Sequence, residues 1–338
     1  STGFLDLARQ LDRTRSTSGG QLVPAEVLTN LAPAANELAS ALTAFTADVD
    51  SLTVGAAYGP FQGKASAALQ EAKDLLPQLT LLVKTLPSIA VLLGANGPQK
   101  WFVALQNGGE SRGTGGLLGS FAVVDLDKGK AKPLQIGDNG KLTAKADPGL
   151  LPKDSQALWG PARLAEVYGV NLSPNYPYAG ELISSMWQRQ SGSAPNAVLA
   201  LDQRSTALLI EAVGGVTVDG ITLNGANAVQ FLSVGVYDKF PEPAAKDAFV
   251  TAVMGQLIKK IATGSTSPIQ LVGTLASAVL ERSVFVWAAD AVVQKSLAPS
   301  PIGGEVPDIA GPISMAVVNN NAGNKMDAFL YTTVKLQG

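Results

Sequence analysis

Neither cysteine nor histidine occurs in the 338 residues. The missing cysteine excludes a disulfide framework and thiol catalysis, though it leaves the compartment open. The missing histidine excludes a Ser-His-Asp triad and any His-ligated zinc or non-haem iron. Proton transfer must then fall to Asp, Glu, Lys, Tyr or a metal-bound hydroxide. A metal, if used, would be a hard ion held by oxygens, with Mg²⁺ the first candidate. Charged residues are scarce at 15%, and the formal charge of −2 comes without any long Lys/Arg cluster. Nucleic-acid binders normally carry a basic face, so no nucleic-acid partner is expected. An uninterrupted apolar run of membrane-spanning length is also missing. The most apolar stretch, 76–93, is broken by Lys84 and Pro87. The chain opens at Ser1 without an initiator Met, as a trimmed ectodomain would after removal of an N-terminal anchor.

What is present divides into three parts. Residues 1–97 read as a helical bundle or stalk, with apolar residues at three and four spacings in Phe4, Leu7, Ala8 and Leu11. The spacing recurs through Leu28, Leu31, Leu38, Leu42 and Phe45, with Pro24, Pro60, Pro77 and Pro87 placing helix starts or kinks. Residues 98–282 read as an α/β core. Short strands are predicted at 101–105, 120–126 and 197–201, and a loop over 141–160. Helices are predicted near 161–168, 179–190, 205–213, 225–234, 244–262 and 268–281. A Gly214-Gly215 stop leads into a short hairpin over 216–223. Residues 283–338 read as a β-rich C-terminal segment, with strands predicted at 284–287, 313–318 and 326–336.

The stretch from Asn107 to Gly116 reads Asn-Gly-Gly-Glu-Ser-Arg-Gly-Thr-Gly-Gly and lies between two predicted strands. It is longer and richer in glycine than a hairpin connection needs. Exposed N–H groups on a permissive backbone beside an arginine suit an oxyanion. Asn107, Glu110, Arg112, Thr114, Gly115 and Gly116 are therefore candidate site residues. The bland alternative is a loose hairpin with a surface ion pair. Asp202 and Arg204 flank a predicted strand end, where open α/β sheets bind ligands, although Asp202 equally suits a helix N-cap. Tyr176, Tyr178 and Trp187 fit either a sugar-stacking platform or ordinary core. Trp159, in the predicted loop, is the aromatic expected to line a groove. The run Asn319 to Lys325 is rich in turn formers and reads as a tight hairpin.

Several of these segments together resemble a bacterial family catalogued as domain of unknown function 4012. They are Leu105-Gln-Asn-Gly-Gly-Glu-Ser-Arg-Gly-Thr-Gly-Gly116, Leu172-Ser-Pro-Asn-Tyr-Pro177, Val198-Leu-Ala-Leu-Asp202, Leu209-Ile-Glu-Ala-Val-Gly-Gly-Val216 and Asn319-Asn-Asn-Ala-Gly-Asn-Lys-Met-Asp327. The chain departs from that pattern at Gly113, Asn175 and Lys246, where Pro, Asp and Arg are usual.

The segment order is also similar to the LytR-CpsA-Psr family of membrane-anchored, extracytoplasmic phosphotransferases. Glu110-Ser-Arg112 falls at that family's Asp-x-Arg loop, Ile136-Gly-Asp138 at its Pro-Arg-Asp turn, and Lys246-Asp247 at its Arg-rich helix start. The resemblance implies an α/β (α+β) fold with a central sheet flanked by helices. It also implies an extracytoplasmic cell-envelope protein acting on a lipid-linked or wall glycopolymer, as a transferase. Arg112 would then contact phosphate, and Glu110 and Asp138 would hold a metal such as Mg²⁺ or move a proton. The partner would be a cell-wall or lipid-linked glycan, with the membrane close by. Two other readings stay open: a glycoside hydrolase pairing Glu110 with Asp138 or Asp202, and a non-catalytic envelope scaffold.

Overall fold

The computed structural model describes residues 23, 25–54, 59, 61–263, 268–308, 315–320, 324–330, 333 and 335. The helix expected around Phe4 to Leu11 and the residue Tyr58 lie outside that set. Two long helices open the described chain: α1 (Ala25–Ser51) and α2 (Gln62–Leu92), packed on each other. The two helices begin one and two residues after Pro24 and Pro60, where helix starts were expected. Pro33 sits inside α1, and Pro77 and Pro87 sit inside α2. The 31-residue α2 is, by length and composition, long and apolar enough to cross a membrane. Its last turn packs into the core through Ala90 and Leu92, and the Trp101 indole donates to the Leu92 carbonyl at 2.8 Å. That bond satisfies one of the carbonyls a helix end leaves open.

The sheet follows. Strands β1 (Gln99–Arg112), β2 (Gly115–Asp127) and β3 (Lys130–Asp138) form an antiparallel meander. A short helix α3 (Lys153–Trp159) and the longer α4 (Tyr176–Ser191) then lead into β4 (Ala197–Leu201), which pairs parallel to β1. Next come α5 (Gln203–Ala212), the hairpin β5 (Val216–Val218) with β6 (Ile221–Leu223), α6 (Val236–Lys239), α7 (Pro243–Ala262) and α8 (Pro268–Leu280). Strand β7 (Val284–Ala288) closes the sheet antiparallel to β4, giving the order β3-β2-β1-β4-β7, and α9 (Ala291–Leu297) follows it.

Side chains alternate across the strands, so each face builds its own core. Trp101, Val103, Ala122 and Val124 face a cluster with Ile210, Phe249, Val253 and Leu257 from α5 and α7. Phe102, Ala104, Phe121 and Val123 face Tyr176, Leu182, Ile183 and Trp187 from α4. Phe102 and Phe121 stack at 5.3 Å between ring centres, and Trp187 tilts against both at 5.6 Å. Tyr176 and Trp187 are thus core residues, 0% and 6% exposed.

Three expectations are corrected. The glycine-rich stretch is not a loop. β1 runs through it to Arg112, and β2 returns from Gly115 across a two-residue turn, Gly113-Thr114. Residues 153–159 are helix rather than loop, so Trp159 ends α3 and packs against the α4-side core. Among the described residues, the tail holds no strand beyond β7. Residues 315–320 hold no strand, and Met326–Phe329 is a 3₁₀ turn; 313–314, 331–332, 334 and 336 lie outside the described residues. The tail's polar groups find partners on the β1 hairpin, so no ladder forms.

Candidate functional site

A cavity of about 400 Å³ opens beside the C-terminal end of β1, between the sheet and the helices from residue 228 to α7. Open α/β sheets bind ligands at such strand ends. One wall is apolar and includes Leu105, Leu117, Leu232, Val250, Val253 and Met254. The mouth carries Asn107, Glu110, Gln203, Tyr237, Lys246, Asp247 and Lys325.

A bulge in β1 builds that mouth. Asn107 pairs with Leu117 and Ser111 with Gly116, so Gly108, Gly109 and Glu110 bow out of the ladder. Bulges re-aim side chains in this way. The bow is held from within and from α5. Asn107 Oδ1 accepts from the Gly109 N–H at 2.9 Å and from Gln203 Nε2 at 2.5 Å, while the Gly108 N–H donates to Gln203 Oε1 at 2.7 Å. Asn107 Nδ2 donates to the Tyr237 hydroxyl at 3.2 Å. Gly116 admits no side chain here, because a Cβ would stand 2.1 Å from the Asn107 carbonyl oxygen.

Two lysines flank one tyrosine. The ammonium groups of Lys246 and Lys325 lie 5.0 and 4.8 Å from the centre of the Tyr237 ring, in cation–π range. Lys325 is ion-paired with Glu110, and Lys246 with Asp247 at 2.9 Å. Burial lowers the Lys325 ammonium to about 8. Burial also raises the Tyr237 phenol, opposed by its bond to Asn107.

Lys325 arrives on the tail, which is strapped across the hairpin. Asn320 N–H donates to the Ser111 carbonyl at 3.0 Å, Ser111 N–H to Asp327 at 2.8 Å, and Gly113 N–H to Asn319 Oδ1 at 3.1 Å. Arg112 belongs to this strap rather than to the cavity lining. It is 8% exposed, and its guanidinium donates to the carbonyls of Tyr168 (3.0 Å), Ser111 (2.9 Å) and Asn320 (2.6 Å). Burial lowers its pKa, and the nearby Asp327 opposes the shift.

The other candidates disperse. Asp138 caps the 3₁₀ turn Asn139–Lys141 and lies 3.6 Å from Lys141; its neighbour Asn139, not Asp138 itself, lines the cavity. Asp202 caps α5, accepting from the Ser205 N–H at 2.8 Å, and Arg204 is ion-paired with Glu281. Burial is the main influence on Asp202 and raises its pKa, opposed by its Ser205 bonds. Thr114 is 2% exposed with an unpartnered hydroxyl, and Gly115 holds φ +114° after the turn. Glu110 and Asp138 do not fit a shared metal. Glu110 is spent on Lys325, and among the described residues no group of three or more His, Cys, Asp or Glu could hold an ion.

Sequence reasoning missed Lys325 and Tyr237 as site residues. The first sits in a segment that reads as a self-contained hairpin. The second is a lone tyrosine in a helical run, and only the fold brings it to Asn107.

Residues 96–237 match the family described as protein of unknown function (DUF4012). The matched stretch is one part of the chain. It contains the whole β1–β2 hairpin, β4, α5 and Tyr237, whereas Lys246 and Lys325 lie beyond the matched residues. No curated protein matches the chain. Among solved structures, protein gbs0355 from Streptococcus agalactiae is similar over 61% of this chain and 74% of its own, at 15% identity and a TM-score of 0.35. The transcriptional regulator yvhJ from Bacillus subtilis is similar over 61% of this chain and 77% of its own, at 15% identity and a TM-score of 0.29. The matched stretch thus supplies part of the cavity lining, and the rest of the chain supplies Val250, Val253, Met254 and both lysines.

Proposed function

We propose that the cavity binds a lipid-linked glycan through its phosphate, and that the protein is a cell-envelope glycopolymer transferase. The observation that carries this reading is the division of the cavity into an apolar wall and a mouth with two ammonium groups. An isoprenoid or acyl chain gains free energy along the first, at about 25 cal/mol per Å² of apolar surface removed from water. A phosphate is held at the second. Each lysine already contacts a carboxylate, but an ammonium has three N–H donors, so donors remain for a phosphate oxygen.

In this reading Glu110 would move the proton. Its carboxylate stands at the mouth, held by Lys325 and 7% exposed. It would accept the proton of the acceptor hydroxyl as that oxygen attacks the glycan-bearing phosphorus of a lipid-linked pyrophosphate; the new P–O bond forms as the P–O–P bridge breaks, and the lipid leaves as its monophosphate. The lysines would offset the charge that develops on the phosphate oxygens.

The test is calorimetric titration of farnesyl phosphate into wild-type protein and into Lys246→Ala. Binding that weakens about tenfold or more in the variant supports the reading. Equal binding by both proteins, or none by either, would sink it.

A further inference from the structure

Gln106 stands out as a group the fold leaves unsatisfied. It is 4% exposed, it lines the cavity, and its amide Nε2 has no hydrogen-bond partner. Burying an amide donor without a partner destabilises the fold, and folded proteins leave few such groups. A leucine or methionine of similar volume would fill the same space against Leu105, Leu117 and the apolar cavity wall.

The neighbours make the contrast sharper. Asn107 and Gln203, on the same rim, satisfy each other and the bulge backbone. Gln106 sits one residue before the bulge, where the pairing slips between Leu105/Ser120 and Gln106/Leu118. Its side chain lies over Gly115, where even a Cβ would come 2.4 Å from Oε1. The hairpin turn therefore makes room for this side chain. Ser120, 6% exposed, also lines the cavity.

We propose that Gln106 is a specificity residue that donates its free N–H to a neutral oxygen of the bound ligand. The chemistry fits a sugar hydroxyl, ring oxygen or acetamido carbonyl. An amide carries no charge to match a phosphate, and the ammonium groups at the mouth already serve that role. The assignment rests on the phosphate-binding reading above and adds the part of the ligand that this reading leaves open: the glycosyl unit attached to the phosphate. A site built to bond a polar ligand atom discriminates strongly against ligands lacking it, because its own buried group is then left unpaired.

Two probes separate this assignment from the reading beneath it: farnesyl phosphate, and farnesyl phosphate carrying a single glucose on the phosphate. Each is titrated into wild-type protein, Gln106→Leu and Gln106→Met. The proposal expects the glycosylated probe to lose about tenfold in affinity in both variants, with farnesyl phosphate unchanged. The variants should also melt at the same temperature as wild type or higher, since an unpaired buried amide has been removed. Farnesyl phosphate binding with no glycosylated preference and no effect of either variant would overturn the Gln106 role and leave the pocket reading standing. Equal losses for both probes would overturn the sugar assignment. No binding of either probe to wild type would overturn both. A lower melting temperature in both variants would show that the amide has protein partners, and would also end the proposal.

Discussion

Lys325→Met is the perturbation whose consequence can be worked most fully. The Glu110 side chain is 9% exposed and the Lys325 side chain 23%, so the pair is largely out of water. Removing the lysine leaves a nearly buried carboxylate without its cation. Losing one partner of a buried pair costs about 3–5 kcal/mol, whereas replacing both by apolar groups is far cheaper. The partial exposure of Lys325 puts this case near the lower figure, about 3 kcal/mol. The strap has other anchors in Asn319, Asn320 and Asp327, so the loss should register first as local detachment of the tail. Amide hydrogen exchange at Ser111, Gly113 and Asn320 reads that opening directly. Three kcal/mol corresponds to exchange faster by roughly a hundredfold. The double variant Glu110→Leu/Lys325→Met should recover most of the protection. Wild-type exchange in Lys325→Met, or a double variant worse than either single, would refute the account of the pair.

Gly116→Ala should cost about 2–3 kcal/mol in urea denaturation, because the new methyl meets the backbone of Asn107 and Gly108, which cannot yield without undoing the bulge; an unchanged midpoint would mean the two strands are not this close. Arg112→Ala should speed exchange at Asn320 and lower the melting temperature, since its N–H groups hold three carbonyls. Normal exchange with lost farnesyl phosphate binding would instead make Arg112 a phosphate contact. Affinity for farnesyl phosphate should be flat below about pH 7 and fall as pH rises through about 8, where the Lys325 ammonium loses its proton. A binding profile flat to pH 10 would remove Lys325 from the site.

Much of the fold was legible because its signals are local. The short apolar runs 101–105 and 197–201, the Gly214-Gly215 stop and the Asp202 cap each determine an element without help from elsewhere. The glycine-rich stretch was recognised as special but misread as a loop. Its strand character depends on Gly116 lying against Asn107 across the hairpin, which no window of sequence reveals. The tail failed for the same reason. Asn319, Asn320 and Asp327 look like turn formers, and their partners are more than 200 residues away. The site was half legible: Asn107 and Glu110 were found through the motif, but Arg112 reads as a ligand contact and is a clamp on the strap. Tyr237 and Lys325 carry no local mark, since their role comes only from converging on one ring.

The most direct test of the central claim is photolabelling with a farnesyl phosphate that carries a diazirine on its last isoprene unit, followed by peptide mapping. The account predicts labels on Leu232, Val250, Val253 or Met254, lost when unlabelled farnesyl phosphate competes. Labels confined to the exposed apolar residues of the N-terminal helices, such as Phe45 or Leu81, would contradict it and leave the cavity without its proposed ligand.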